Sequence, residues 1–212
     1  MPEVLVPPAR WPRWVANFAA SHGEPELRVD GGALHGTAPD DSWFRAAPPF
    51  SRPYAGAPEV DALAVAAVTD SAAPATWGVL LVRKGGFAIA RVEAGAVVAS
   101  KVGQRHVQGR TKAGGQSQQR FARRRANQAR VAYEAAADHA FAVLAGATEV
   151  VAGGDRGAVD EVLADPRLSA VDVVGPWLAV PDPRRAVLDR AVLDAQALVV
   201  MVENAGAAPA QR

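Results

Sequence analysis

Residues 77–102 read WGVLLVRKGGFAIARVEAGAVVASKV, and this stretch decides the fold. It contains three runs rich in β-branched and aliphatic residues, 77–84, 87–92 and 96–102, separated by Gly85-Gly86 and by Glu93-Ala94-Gly95. Short apolar runs joined by glycine-bearing tight turns predict an antiparallel three-strand meander. Toward the C-terminus, a polar segment over 103–116 precedes a helix predicted from Ser117, a suitable N-cap, to about Leu144. On that helix Ala122, Ala126, Ala129, Tyr133, Ala136, Ala140 and Leu144 recur by three and four, a narrow stripe able to lie close against a sheet. Arg120, Arg123, Arg124 and Asn127 fall on its other side. A short strand at 149–152, a Gly153-Gly154-Asp155 turn with Asp155 as cap, a helix over 156–164, a strand at 171–174 and a closing helix over 184–202 complete the pattern. Three strands, then helix, strand, helix, strand, helix predicts an α/β fold with an RNase H-like core. In such a core the first three strands are antiparallel and the later ones add in parallel.

Toward the N-terminus, residues 60–69 read as extended, with an alanine content that also admits a helix. Pro48, Pro49, Pro53 and Pro58 crowd together and mark a soft boundary. Before them, Trp11, Trp14, Val15 and Phe18 recur at helical spacing, and this bulky face is expected to dock on the protein's own sheet rather than on a partner. Short strands separated by turn residues are expected between 26 and 50. The predicted organisation is a small N-terminal α+β module over 1–58, a larger domain over 59–204 and a disordered tail over 205–212. The chain has 212 residues and no cysteine, which excludes disulfides and thiolate metal sites. Its apolar runs fall short of the roughly 20 residues a membrane span needs, and the start MPEVLVPPAR lacks the apolar segment of a signal peptide. A cytoplasmic protein with no membrane partner is expected.

Charge is distributed unevenly. Residues 101–130 hold nine basic side chains, Lys101, Arg105, Arg110, Lys112, Arg120, Arg123, Arg124, Arg125 and Arg130, while 94–133 contain no Asp or Glu. The rest of the chain has 14 basic residues against 22 acidic ones. A basic element on an acidic body presents a local footprint to a polyanion. Arg120, Arg123, Arg124 and Arg125 have no acidic residue three or four positions away, so pairing within the helix does not account for that row, and phosphate contacts would relieve its repulsion. With only Phe121 and Tyr133 as nearby aromatics, recognition of backbone and shape is expected over stacking on single-stranded bases.

Within this basic element sits Gly114-Gly115-Gln116. Paired glycines often serve only a tight turn. Here they lie near the end of the fourteen-residue connection 103–116 and are followed at once by glutamine, which favours function. Glycines let a glutamine bring its backbone amide and a small neutral side chain into a crowded site. His106 in the same segment reads as a further phosphate contact. A nuclease would need carboxylates converging on the first strands to hold metal. The meander offers only Glu93, so that reading is rejected and neither a metal nor a cofactor is expected.

Gly114-Gly115-Gln116-Ser117, followed by Arg120-Phe121-Ala122-Arg123 and Arg125, resembles the GGQ loop and adjoining helix of the catalytic domain of eukaryotic and archaeal class I release factors. The resemblance continues more weakly through Val150-Val151-Ala152-Gly153 and covers roughly 77–200. It does not include a stop-codon-reading or a C-terminal partner-binding domain. It is nearer to stand-alone release-factor-like proteins of ribosome rescue, the actinobacterial branch related to the Vms group. That resemblance implies an RNase H-like core and a codon-independent peptidyl-tRNA hydrolase that frees nascent chains from stalled ribosomes or large subunits. Its implied partners are the large subunit, its rRNA and peptidyl-tRNA, with the protein itself a monomer. It implies Gly114, Gly115 and Gln116 as catalytic, with Gln118 second, since in such relatives the working glutamine can lie a residue or two later. Arg105, Arg110, Lys112, Arg120, Arg123, Arg124 and Arg125 would contact RNA. Two other readings stand beside it: a non-catalytic RNA- or ribosome-binding module, and hydrolysis of free peptidyl-tRNA.

Overall fold

The computed structural model describes residues 2–69, 73–84, 86–104 and 116–206, and for 116–129 the backbone only. The expected tail lies outside the described residues from 207 onward. The chain divides into two compact units, residues 1–74 with 193–212, and residues 75–192. The proline cluster at 48–58 falls inside the first unit, and in sequence the second unit is an insertion within the first. Among the described residues no helix is long and apolar enough to cross a membrane.

The first unit begins with β1 (Glu3–Val6), a strand in the proline-rich start that sequence reading passed over, and α1 (Trp11–His22). Then follow β2 (Glu26–Asp30), β3 (Ala33–Thr37), β4 (Trp43–Ala47) and α2 (Val60–Ala66). The extended reading of 60–69 is thus corrected to a helix for most of its length, as its alanines allow. Helical bonds from Leu63 N–H to Glu59 and from Ala67 N–H to Leu63 hold it in place. The docking face of α1 packs as expected on the unit's own sheet. Trp11, Val15 and Phe18 are buried with Leu34, Phe44, Leu63, Leu198 and Val200. Phe44 stands edge-on to Trp11, Trp14 and Phe18, with ring centroids 5.5, 5.4 and 5.1 Å away.

The second unit contains β5 (Thr76–Arg83), β6 (Gly86–Glu93) and β7 (Ala96–Gln104), the expected meander. They lead to α3 (Gln116–Val143), β8 (Glu149–Gly154), α4 (Arg156–Leu163) and β9 (Asp172–Leu178). The sheet order is β7-β6-β5-β8-β9, with β8 parallel to β5 and β9 parallel to β8. Asp155 caps α4 as predicted, its Oδ1 accepting from the Ala158 N–H at 3.3 Å. Gly153 and Gly154 close β8 rather than forming a turn. Leu80, Val82, Ile89, Val150 and Ala152 of the sheet pack on Ala136 and Ala140 of α3, on Leu144 just after it, and on Val159 and Val162 of α4.

The predicted closing helix is shorter than expected. It is α5 (Arg185–Asp194), and Leu198–Glu203 is instead a strand, β10, of the first unit's sheet. That sheet runs β1-β10-β4-β3-β2, all neighbours antiparallel. Valines 199, 200 and 202 suit a pleated surface, and pairing on both sides overrides a helical pattern that continues from α5.

Phe44 joins α1 to its sheet, so Phe44→Ala is expected to destabilise the first unit by about 3–5 kcal/mol. Urea unfolding followed by tryptophan fluorescence measures this.

Candidate functional site

The basic segment is placed by its two flanks. β7 ends at Gln104, directly opposite Gly86 of β6, which in turn pairs with Arg83 of β5. Arg105, Arg110, Lys112, Gly114 and Gly115 lie outside the described residues, as does His106. Gln116 is the first residue of α3 and Gln118 follows two positions on, so the helix starts one residue earlier than predicted. Arg120, Arg123, Arg124 and Arg125 lie along the backbone of its first three turns. The fold thus gathers both glutamines and these arginines on one helical segment.

At the root of this segment, Phe87 lies against Gly103, its cross-strand partner, one residue before β7 ends at Gln104. A Cβ at Gly103 would come within 2.4 Å of the Phe87 ring, so only glycine admits the aromatic there. The same ring meets His139 of α3, with centroids 5.4 Å apart. Phe87 therefore holds the strand that enters the segment against the helix that leaves it. Tyr133 is half-buried beside this contact; burial first, and then the charges of Asp155 and Glu161, push its phenol upward, so it stays protonated near neutrality.

Arg167 clamps the far half of α3. Its guanidinium donates to Asp138 at 2.7 Å and to both carboxylate oxygens of Asp165 at 2.9 and 2.7 Å, and its Cζ lies 5.3 Å from the centre of the Phe141 ring. Hydrogen bonds from the Arg167 side chain, and then from its backbone N–H, lower the Asp165 carboxyl to about 2. Sequence reading found neither contact, because residues 87, 103 and 139, and residues 138, 165 and 167, meet only after the sheet and helix have formed.

A helix that opens on glutamine behind paired glycines, in an α/β unit, fits the class of protein that sequence comparison identifies, the release factors. More narrowly, the profile of acVLRF1, the Actinobacteria/chloroflexi VLRF1 release factor, matches residues 75–201, and the chain belongs to that family. The match starts at the first residue of the second unit and runs into β10. No curated protein matches the chain. Membership implies a release-factor role in translation and, with it, interaction with the ribosome.

Two outcomes are expected at the flanks. Gly103→Ala should destabilise the second unit by about 1–3 kcal/mol through overpacking. Adding Phe87→Leu should recover part of that loss, which a double-mutant cycle from chemical denaturation would detect. The Asp165 carboxyl, lowered from 3.8, contributes stability that is complete above 3.8 and lost as pH falls toward about 2. Asp165→Asn should accordingly lower Tm at neutral pH, and its difference from wild type should close across that acid window, as read by thermal unfolding at a series of pH values.

Proposed function

We propose that the protein is a codon-independent peptidyl-tRNA hydrolase of the cytoplasm, releasing nascent chains from stalled ribosomes or large subunits. The observation that carries this reading is the position of Gln116, first residue of α3 and immediately behind Gly114-Gly115, in a chain of the release-factor family. The second unit is read as the catalytic domain with an RNase H-like core. Its antiparallel β7-β6-β5 and parallel β5-β8-β9 pairings support that reading.

In this reaction a water oxygen attacks the ester carbonyl that joins peptide to tRNA. The bond from that carbonyl carbon to the ribose oxygen breaks, the ribose oxygen takes a proton, and a free peptide carboxylate and tRNA leave. Gly114 and Gly115 allow close approach to the tRNA 3′ end, and Gln116 orients the water and stabilises charge developing on the carbonyl oxygen. Gln118 is the second candidate for that role. Arg105, Arg110, Lys112, Arg120, Arg123, Arg124 and Arg125 grip phosphates of rRNA or tRNA. Catalysis by positioning and electrostatics asks little of the chain's own acids and bases, and the ribosome supplies the remainder of the site.

The test is peptide release from stalled ribosome-bound peptidyl-tRNA under single-turnover conditions. Gln116→Ala is expected to slow release by about 100-fold or more, and purified peptidyl-tRNA without ribosomes is expected to stay intact. Full release by both Gln116→Ala and Gln118→Ala would overturn the mechanism. Ribosome binding without any release by the wild type would leave a non-catalytic binding module.

A further inference from the structure

Exposed basic side chains gather at one rim of the second unit's sheet. β5, β8 and β9 are parallel, so their carboxyl ends share one rim. β7 also ends there, because Gln104, Gly86 and Arg83 form one cross-strand row. The basic segment after Gln104 therefore departs from this rim. Arg83 closes β5 and Lys84 follows it, while Arg156 opens α4 directly after β8; all three are exposed. At the opposite rim stand Glu93, which ends β6, Glu149, which starts β8, and Asp172, which starts β9.

Two of the three cations are held in place by protein contacts. The Arg83 guanidinium donates to the Val180 carbonyl at 2.7 Å and lies 3.8 Å from Asp182. The Arg156 guanidinium lies over the Trp177 ring with its Cζ 4.1 Å from the ring centre. Stacking uses the face of a guanidinium and leaves its edge N–H groups free to approach an acceptor. A cation already held costs less side-chain entropy when it binds. Of the nearby acids, Asp155 caps α4, while Asp182 faces Arg83 at 3.8 Å across a largely exposed pair that a phosphate would displace. Adjacent strands are about 4.8 Å apart, so the rim from β5 to β9 spans about 10 Å, within reach of one nucleic-acid strand.

The geometry points to this rim, with Arg83, Lys84 and Arg156 as its contacts, as a docking surface for an RNA sugar-phosphate backbone that continues the footprint of the basic segment. The occupant is RNA rather than an acidic protein, because the strand that ends on this rim at Gln104 leads in sequence into eight further basic residues through Arg130, and the anchored guanidinia of the rim suit bidentate phosphate contact. The inference rests on the ribosomal reading above and adds a second contact surface to it.

The experiment measures binding of the full chain to purified large ribosomal subunits across a salt series, with release activity measured in parallel. The variants are the pair Arg83→Glu/Lys84→Glu, the single Lys84→Glu, and Arg156→Gln. The paired variant is expected to weaken binding about tenfold or more, to reduce the slope of log affinity against log salt by about one to two, and to leave release unchanged at saturation. Asp172→Lys on the opposite rim is expected to change neither quantity. Should the paired variant fail to fold, as judged by thermal unfolding, Lys84→Glu and Arg156→Gln carry the test. Unchanged affinity and salt slope in folded variants overturn the inference, as does weaker binding with an unchanged slope, the result expected of a protein partner. Loss of release in Gln116→Ala with normal binding by the rim variants removes the docking surface and keeps the hydrolase. Weakened, salt-dependent binding by the rim variants with no release by the wild type does the reverse.

Discussion

The seat of α3 on the second unit's sheet is the contact on which the candidate site depends. The helix has 28 residues and is about 42 Å long at 1.5 Å per residue. Its C-terminal half is fixed by Ala136, Ala137, Ala140 and Leu144, buried against β5, β6 and β8. Alanines lose no side-chain entropy on burial and let a helix backbone approach the sheet closely. At Gly78 of β5 an added Cβ would sit 2.3 Å from Cδ2 of Leu144, the residue that follows α3. A side chain there would lift the end of the helix, and any tilt at the seat is multiplied along the axis toward Gln116.

Two side-chain devices reinforce this seat from different sides. Phe87, sharing its ring between Gly103 and His139, sets where the strand before the basic segment meets the helix after it. Arg167, bound to Asp138 and Asp165, fixes the solvent side of the same helix to the turn that follows α4. The Asp165–Arg167 part is local and its arginine half-exposed, so it contributes only modestly to global stability. Its reach to Asp138 is what bears on α3. The alanine stripe fixes the distance of helix from sheet, and the two devices act against sliding and rolling, the motions that small side chains leave open.

Much of the second unit was legible because its signals are local. Turn glycines fix the meander, Asp155 announces a helix start, and the stripe from Tyr133 to Leu144 carries a helical period. The basic segment was legible for the same reason, since its charges are neighbours in sequence. The rim formed by Arg83 and Arg156, and the stacking of Arg156 on Trp177, were not, because sheet order alone brings these residues together. Leu198–Glu203 was misread as helix for a related reason: a five-residue apolar run, 198–202, has no decisive period, and its partners β1 and β4 lie more than 150 residues earlier. The alanine-rich 60–66 stretch was ambiguous on its own and became a helix where Leu63 entered the first unit's core. For Gln116 and Gln118 the sequence supplies the motif, and the fold adds that both lie at the start of one helix.

The position of β10 ties the two units together through chain order. It lies between β1 and β4, pairing with each, and its Leu198 and Val200 complete the core under α1. Without it β1 has no partner among the described strands, and β4 becomes an edge with unpaired backbone groups. The first unit therefore cannot complete its sheet until the whole of the second has been synthesised and the chain has passed through α5. The family match runs through Met201, so most of this strand lies in the same matched segment as the helix that carries Gln116. A strand that closes one core while ending the segment that builds the other makes the first unit's stability conditional on a chain that includes the candidate site.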